Sequence, residues 1–220
     1  TKDTSTETAK KIYFTQNQAI TTQETITNPP CSDYERFDTD GYLVKEKVIQ
    51  PPVCQAVFGQ ILESWKQGTF DYIHRADMRI HTPLELSETN TWVMKNILEE
   101  YLPVLNAFLP EEKMRYLAEF SSICVFPGAK PQELHPDQHH QTRKLVTIFV
   151  NLLEVGEQCG PLIVIPQSHI KSKQIKDSEK QVINTPQKMI LPPGSSVLMD
   201  SRLVHAGTEN TTMNSIRPEF

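Results

Sequence analysis

His135-Pro136-Asp137, followed far downstream by His205 and then Arg217, is the part of the sequence best suited to chemistry. Two imidazoles and one carboxylate form the facial ligand set that holds non-haem Fe(II) and leaves neighbouring coordination positions open for reactants. In an extended strand residues i and i+2 point to the same face, so His135 and Asp137 could grip one ion from one short segment. His205 must then arrive from another strand. Arg217 is the kind of group that would anchor a dicarboxylate cosubstrate, because its guanidinium fork matches a carboxylate in bidentate fashion. A site of this kind would make the protein an oxygenase. The triplet alone is a weak pattern, since seven histidines in 220 residues produce chance matches. The surrounding chain has to decide.

The elements that would hold these residues follow from periodicity and from breakers. Asp40-Gly41-Tyr42-Leu43-Val44 reads as a turn and a short strand. After Pro51-Pro52, apolar residues from Val53 through Val57 and Ile61 to Trp65 recur at helical spacing, with Gly68 as the stop. A second helix is expected from about Thr89 to Leu109, with Trp92, Ile97, Tyr101 and Leu105 facing inward. Both stripes are read as core packing. From Met114 onward the texture changes to short strands, expected at Arg115–Phe126, Lys144–Val155, Leu162–Pro166, Lys188–Leu191 and Ser196–Asp200. Pro127-Gly128, Gly160-Pro161 and Pro192-Pro193-Gly194 separate them. The fold class expected is therefore mainly β with flanking α-helices, a sandwich or barrel of which the jelly roll is one form.

Residues 1–32 are rich in Thr, Gln, Lys and Glu and read as a flexible N-terminal arm closed by Asn28-Pro29-Pro30. Residues 33–220 are long enough for one domain with a substantial core. No apolar run approaches the length needed to span a bilayer. A net charge of −5 without a basic block argues against nucleic acid and anionic membranes as partners. Cys31, Cys54, Cys124 and Cys159 include no CxxC pair, which fits neither a zinc ribbon nor a secreted disulfide framework. A reduced, intracellular and cytoplasmic setting is the default expectation. The chain begins at Thr1 without a signal-peptide pattern, as a processed end would.

Read together, the segments resemble the phytanoyl-CoA dioxygenase family of Fe(II)/2-oxoglutarate oxygenases, whose fold is a double-stranded β-helix. Asp40 to Val44 resembles the family's opening strand, and Phe126-Pro127-Gly128-Ala129, Gln132 and Leu134-His135-Pro136-Asp137 resemble its PGx…Q…HxD segment. Gly160-Pro161-Leu162 through Pro166-Gln167-Ser168-His169 resembles its GPL…PGSH turn, with Gln167 where glycine is usual. The run from Gly194 to Asp200 and on through His205-Ala206-Gly207 resembles the strand and turn that deliver the distal histidine. Asn210 and Arg217 complete the set, which covers roughly residues 33–217.

The resemblance implies roles. His135, Asp137 and His205 would ligate Fe(II), with 2-oxoglutarate as cosubstrate and O2 as oxidant. Retention of Asp137 favours hydroxylation over halogenation, which in this family goes with loss of the carboxylate. Arg217 would hold the distal carboxylate of 2-oxoglutarate, helped by a hydroxyl from Thr212 or Ser215, and by Lys144 or Thr147 from the neighbouring strand. Gln132 could face the cosubstrate or the substrate. Asp200 would order the turn before His205, and His169 would be structural. The substrate expected is a small molecule or acyl compound, gripped by residues 68–90 and 167–186, which include Arg79 and Lys171. The family continues its last strand beyond the arginine, so Pro218-Glu219-Phe220 is expected to be a truncated end, with Glu219-Phe220 a cloning remnant. Two rival readings remain. One is a non-catalytic jelly-roll relative acting as a binding or regulatory module; the other is a cupin-like metalloenzyme that uses no 2-oxoglutarate.

Overall fold

A computed structural model describes residues 32–68, 74–109, 115–138, 144–171 and 184–220. The N-terminal arm through Cys31 lies outside the described residues. The chain opens with helix α1 (Ser32–Asp40), strand β1 (Tyr42–Lys45) and helix α2 (Pro51–Gln67). A hairpin of β2 (His74–Ala76) and β3 (Arg79–Pro83) precedes helix α3 (Glu88–Phe108). The β-rich half contains β4 (Ser121–Val125), β5 (Val146–Val150), β6 (Leu162–Val164) and the short helix α4 (Ser168–Lys171). It ends with β7 (Gln187–Lys188), β8 (Ser196–Asp200), β9 (His205–Gly207) and β10 (Arg217–Glu219).

Three hydrogen-bonded groups, β1-β8-β5, β10-β4-β3-β2 and β7-β6-β9, assemble into two sheets. The first two groups join where Val150 exchanges backbone hydrogen bonds with Phe220 and Leu152 donates to the Pro218 carbonyl. The opposing sheet β7-β6-β9 gains the 132–138 segment, which bridges to β9 at His135–His205. This is the double-stranded β-helix expected of the sequence.

Helices and sheets bury different faces. Phe37, Val57, Ile61, Ile97, Tyr101 and Phe108 close over Leu43, Cys124 and Leu198, forming the core between the helices and the outer face of the larger sheet. Val197, Met199, Leu162, Val164 and Leu203 form a second cluster between the sheets. All five residues of β8 are therefore buried, alternating between the two cores as a strand's period of two requires. Helices α2 and α3 lie where the apolar spacing places them, but Trp92, expected to face inward, is exposed; Val93 and Met94 turn to the core beside Ile97, Tyr101 and Leu105 instead. Gly68 ends α2 in the left-handed conformation at φ 63, and the Ser87 side chain caps α3 by accepting from Asn90 N at 3.2 Å.

Several expectations are corrected. Helix α1, which includes Tyr34 to Phe37 ahead of the Asp40-Gly41 turn, is not among the expected elements. Residues 115–120 are not strand; Tyr116 and Leu117 are exposed and no strand among the described residues pairs with them. The expected strands at 144–155, 162–166 and 188–191 are each shorter, bounded by where a neighbour supplies hydrogen bonds. Part of the supposed substrate loop, residues 74–83, is the β2–β3 hairpin, with Asp77 and Met78 at φ 46 and 61 in its two-residue turn. At the end of the sequence, Glu219 is buried in β10 and Phe220 packs edge-on against Phe120.

Candidate active site

The 132–138 segment runs extended beside the chain from Ser201 to Gly207. Gln132 N donates to Gly207 O, His135 and His205 exchange both backbone bonds, and Gln138 N donates to Ser201 O. Asp200 orders the intervening turn by accepting from Arg202 N at 2.9 Å and pairing with the Arg202 guanidinium. Backbone pairing thus brings the two histidines side by side, and the strand's alternation sends Asp137 to the same side as His135.

One ligand atom from each of His135, Asp137 and His205 lies within 4.8 Å of the others. His135 Nδ1 lies 2.7 Å from Glu133 O, and His205 Nδ1 lies 2.9 Å from Leu203 O. A carbonyl can only accept, so each Nδ1 carries a hydrogen and Nε2 is the nitrogen left to face a metal, which at His205 would replace the proton shared with Asp137. His205 Nε2 stands 3.4 Å from Asp137 Oδ1. Burial raises the Asp137 pKa, but the hydrogen bond and charge of His205, then His135 and the Thr147 hydroxyl, hold it below its ordinary value. The donor set therefore fits a divalent ion: two neutral imidazole nitrogens, one ionised carboxylate and room for exogenous ligands.

Beside the triad lies a cavity of about 100 Å³, whose lining includes Gln132, Phe149 and Leu162 together with the charged groups Arg79, Arg217 and Glu219. Arg79 and Arg217 both pair with Val125, on opposite sides of β4, so the sheet sets the two guanidiniums at one level on one face. Arg217 Nη2 donates to Glu219 Oε1 at 2.9 Å. Arg79 donates to the carbonyls of Lys130, Gly207 and Thr208. Burial, then the charge of Arg217, presses the Arg79 pKa down, partly offset by Asp77 and Glu219.

Not every expected site residue reaches this cavity. Thr212 and Ser215 do not: the Thr212 hydroxyl donates to Asn210 Oδ1 and to Ser215 O, locking a partly exposed turn before β10. Thr147 serves the metal side instead, its hydroxyl 3.3 Å from Asp137 Oδ2. Lys144 turns away to cap the Phe108 carbonyl at 2.6 Å. Gln132 lines the cavity with its Oε1 committed to Gly207 N at 2.8 Å. His169 donates to Asp38 O at 3.1 Å, a structural bond. Arg79, expected only as part of the substrate-gripping segment, and Glu219, not expected in the site, both line the cavity beside Arg217. The i+2 spacing from Arg217 could have flagged Glu219, whereas Arg79 carries no local signal.

A double-stranded β-helix with a two-histidine, one-carboxylate triad in its mouth defines the class of non-haem iron oxygenases. The chain belongs to the phytanoyl-CoA dioxygenase (PhyH) family, whose model matches residues 37–218. It is an Fe(II)- and 2-oxoglutarate-dependent dioxygenase. Solved structures share the fold at low identity. The α-ketoglutarate-dependent carbocyclase SnoK from nogalamycin biosynthesis superposes with a TM-score of 0.63 and 15% identity, over 87% of this chain and 82% of that one. HygX from Streptomyces hygroscopicus, with nickel and 2-oxoglutarate bound, gives 0.64 and 14%, over 85% and 83%. A prolyl hydroxylase from Trichoplax adhaerens, in complex with a peptide fragment of hypoxia inducible factor, gives 0.62 and 12%, over 85% and 86%. No curated protein matches the chain by sequence. Among the described residues, no helix is long and apolar enough to cross a membrane.

Proposed function

We propose that His135, Asp137 and His205 hold the iron, and that Arg217, with Arg79 beside it, receives the distal carboxylate of 2-oxoglutarate in the adjoining cavity. The observation that carries this reading is the placement of two buried guanidiniums next to three convergent metal donors. When bound, Fe(II) with 2-oxoglutarate and O2 supplies the oxidising chemistry, and the cosubstrate leaves as succinate and carbon dioxide.

The chain's own contribution is positional and electrostatic. The Glu133 and Leu203 carbonyls fix the tautomer of the two imidazoles. Thr147 steadies the second oxygen of Asp137, leaving Oδ1 for the metal. Phe149 and Leu162 exclude water from the cavity wall, which strengthens every charge interaction inside it. The proposed primary substrate is a small molecule or acyl compound, and the retained carboxylate of Asp137 favours hydroxylation over halogenation. The solved relatives include both a carbocyclase and a prolyl hydroxylase, so the fold accommodates more than one outcome.

Metal-free protein, titrated anaerobically with Fe(II) and then 2-oxoglutarate, tests the assignment through the visible charge-transfer band of the chelated complex. The band is expected in the native protein, absent in His135→Ala and weakened in Arg217→Ala. Its absence in folded native protein would favour a non-catalytic relative.

A further inference from the structure

The cavity holds one charged group more than metal and cosubstrate binding call for. Glu219 follows Arg217 by two residues on β10, so both side chains enter the cavity from the same face of the sheet. Each retains only 4% of its side-chain exposure, and they form a single contact at 2.9 Å. Arg79, at the same level across β4, has only uncharged carbonyls as hydrogen-bond acceptors among the described residues. The Nε groups of both Arg79 and Arg217 are buried without an acceptor among the described residues. Two guanidiniums and one carboxylate leave one positive charge at this end of the cavity. At the other end, Asp137 cancels one of the two charges of a divalent ion. Each end therefore matches a single carboxylate.

We propose that Glu219 sets the affinity and charge selectivity of the cosubstrate site: it is a built-in carboxylate that occupies Arg217 and holds the Arg79–Arg217 pair at one net positive charge. The site then accepts one carboxylate at that end, and binds it more weakly than the bare arginine pair would. This inference rests on the reading of Arg217 as the cosubstrate anchor. A purely orienting role for Glu219 predicts the opposite sign. Coulomb attraction in a desolvated cavity outweighs the rotamer freedom that one tethered side chain regains, so the loss of negative charge decides the outcome.

The test is calorimetric titration of 2-oxoglutarate into Ni(II)-loaded protein, paired with melting curves. Glu219→Gln is expected to bind about tenfold tighter or more. It should melt lower without ligand, because the guanidinium pair has lost its counter-ion, and show a larger rise on adding 2-oxoglutarate. Glu219→Asp keeps the charge and should stay within about threefold of the native affinity. Glu219→Ala removes the same charge and is read in the same way should Glu219→Gln not fold. Unchanged or weakened binding in the charge-removing variants overturns the proposal and leaves Glu219 as a structural partner. Undiminished binding in Arg217→Ala would instead overturn the anchor reading on which it stands.

Discussion

His135 and His205 exchange both of their backbone hydrogen bonds, at 3.0 and 2.9 Å, across an isolated antiparallel bridge. Their rings lie 4.7 Å apart. The main chain alone thus brings the two proposed metal ligands together, whatever their side chains are. His135→Ala should consequently leave the fold within about 1 kcal/mol of the native stability, while metal affinity falls by orders of magnitude. Melting curves beside metal quantification of the purified variant check both halves of this expectation.

Arg217 supplies the charge-assisted fork, so Arg217→Ala should raise the KM for 2-oxoglutarate about 10- to 100-fold. Truncation also strands Glu219 as an unpaired buried carboxylate, which costs about 3 kcal/mol or more. The double variant Arg217→Ala/Glu219→Ala should then be more stable than Arg217→Ala alone. Chemical denaturation of the pair decides this; equal or lower stability in the double variant would mean that the two side chains are not energetically coupled.

The His205 proton sets a pH dependence. Burial disfavours the charged imidazole, but the hydrogen bond and charge of Asp137, followed by the Leu203 carbonyl and Glu219, raise its pKa above the ordinary 6.5. In the metal-free protein this contribution to stability is fully present below the unfolded value and is lost as pH rises through the higher folded one. A divalent ion needs the neutral imidazole and competes with that proton. Metal affinity should therefore increase as pH rises, by about tenfold per unit below the folded pKa, and level off above it. Metal titrations between about pH 6 and 9 would show this; a flat profile would remove His205 from the ligand set.

Gly194 is the backbone position least tolerant of a side chain. It sits at φ +77, and an added Cβ would lie 1.7 Å from the Ile49 carbonyl oxygen. The same turn carries the hydrogen bonds from Ile49 N to Gly194 O and from Gly194 N to Asn151 O, which lead into β8. Gly194→Ala should destabilise the protein by about 2 kcal/mol or more, readable from the denaturation midpoint.

What could be read directly from the residues was whatever depends on local periodicity. The His135-x-Asp137 spacing works because a strand alternates faces, and α2 and α3 declare themselves through apolar residues on one side of a helix. Strand ends were poorly legible because a strand stops where its neighbour stops. Residues 115–120 have suitable composition but, among the described residues, only an isolated backbone bond from Leu84 N to Phe120 O, whereas β10 is fixed by β4 on one side and by the chain after β5 on the other.

The sequence by itself determined the class of fold and singled out the His135, Asp137 and His205 cluster and the arginine after the distal histidine, since each rests on residue chemistry within a short span. Only the tertiary structure decided which charges share the cavity. Arg79 meets Arg217 because β3 and β10 flank β4 in matching register, a relation between segments far apart in the chain. Thr212 and Ser215 are excluded because Asn210 gathers their turn to itself. Side-chain direction in a sheet depends on which strands become neighbours, and that choice is made by long-range burial and hydrogen bonding rather than by any local pattern.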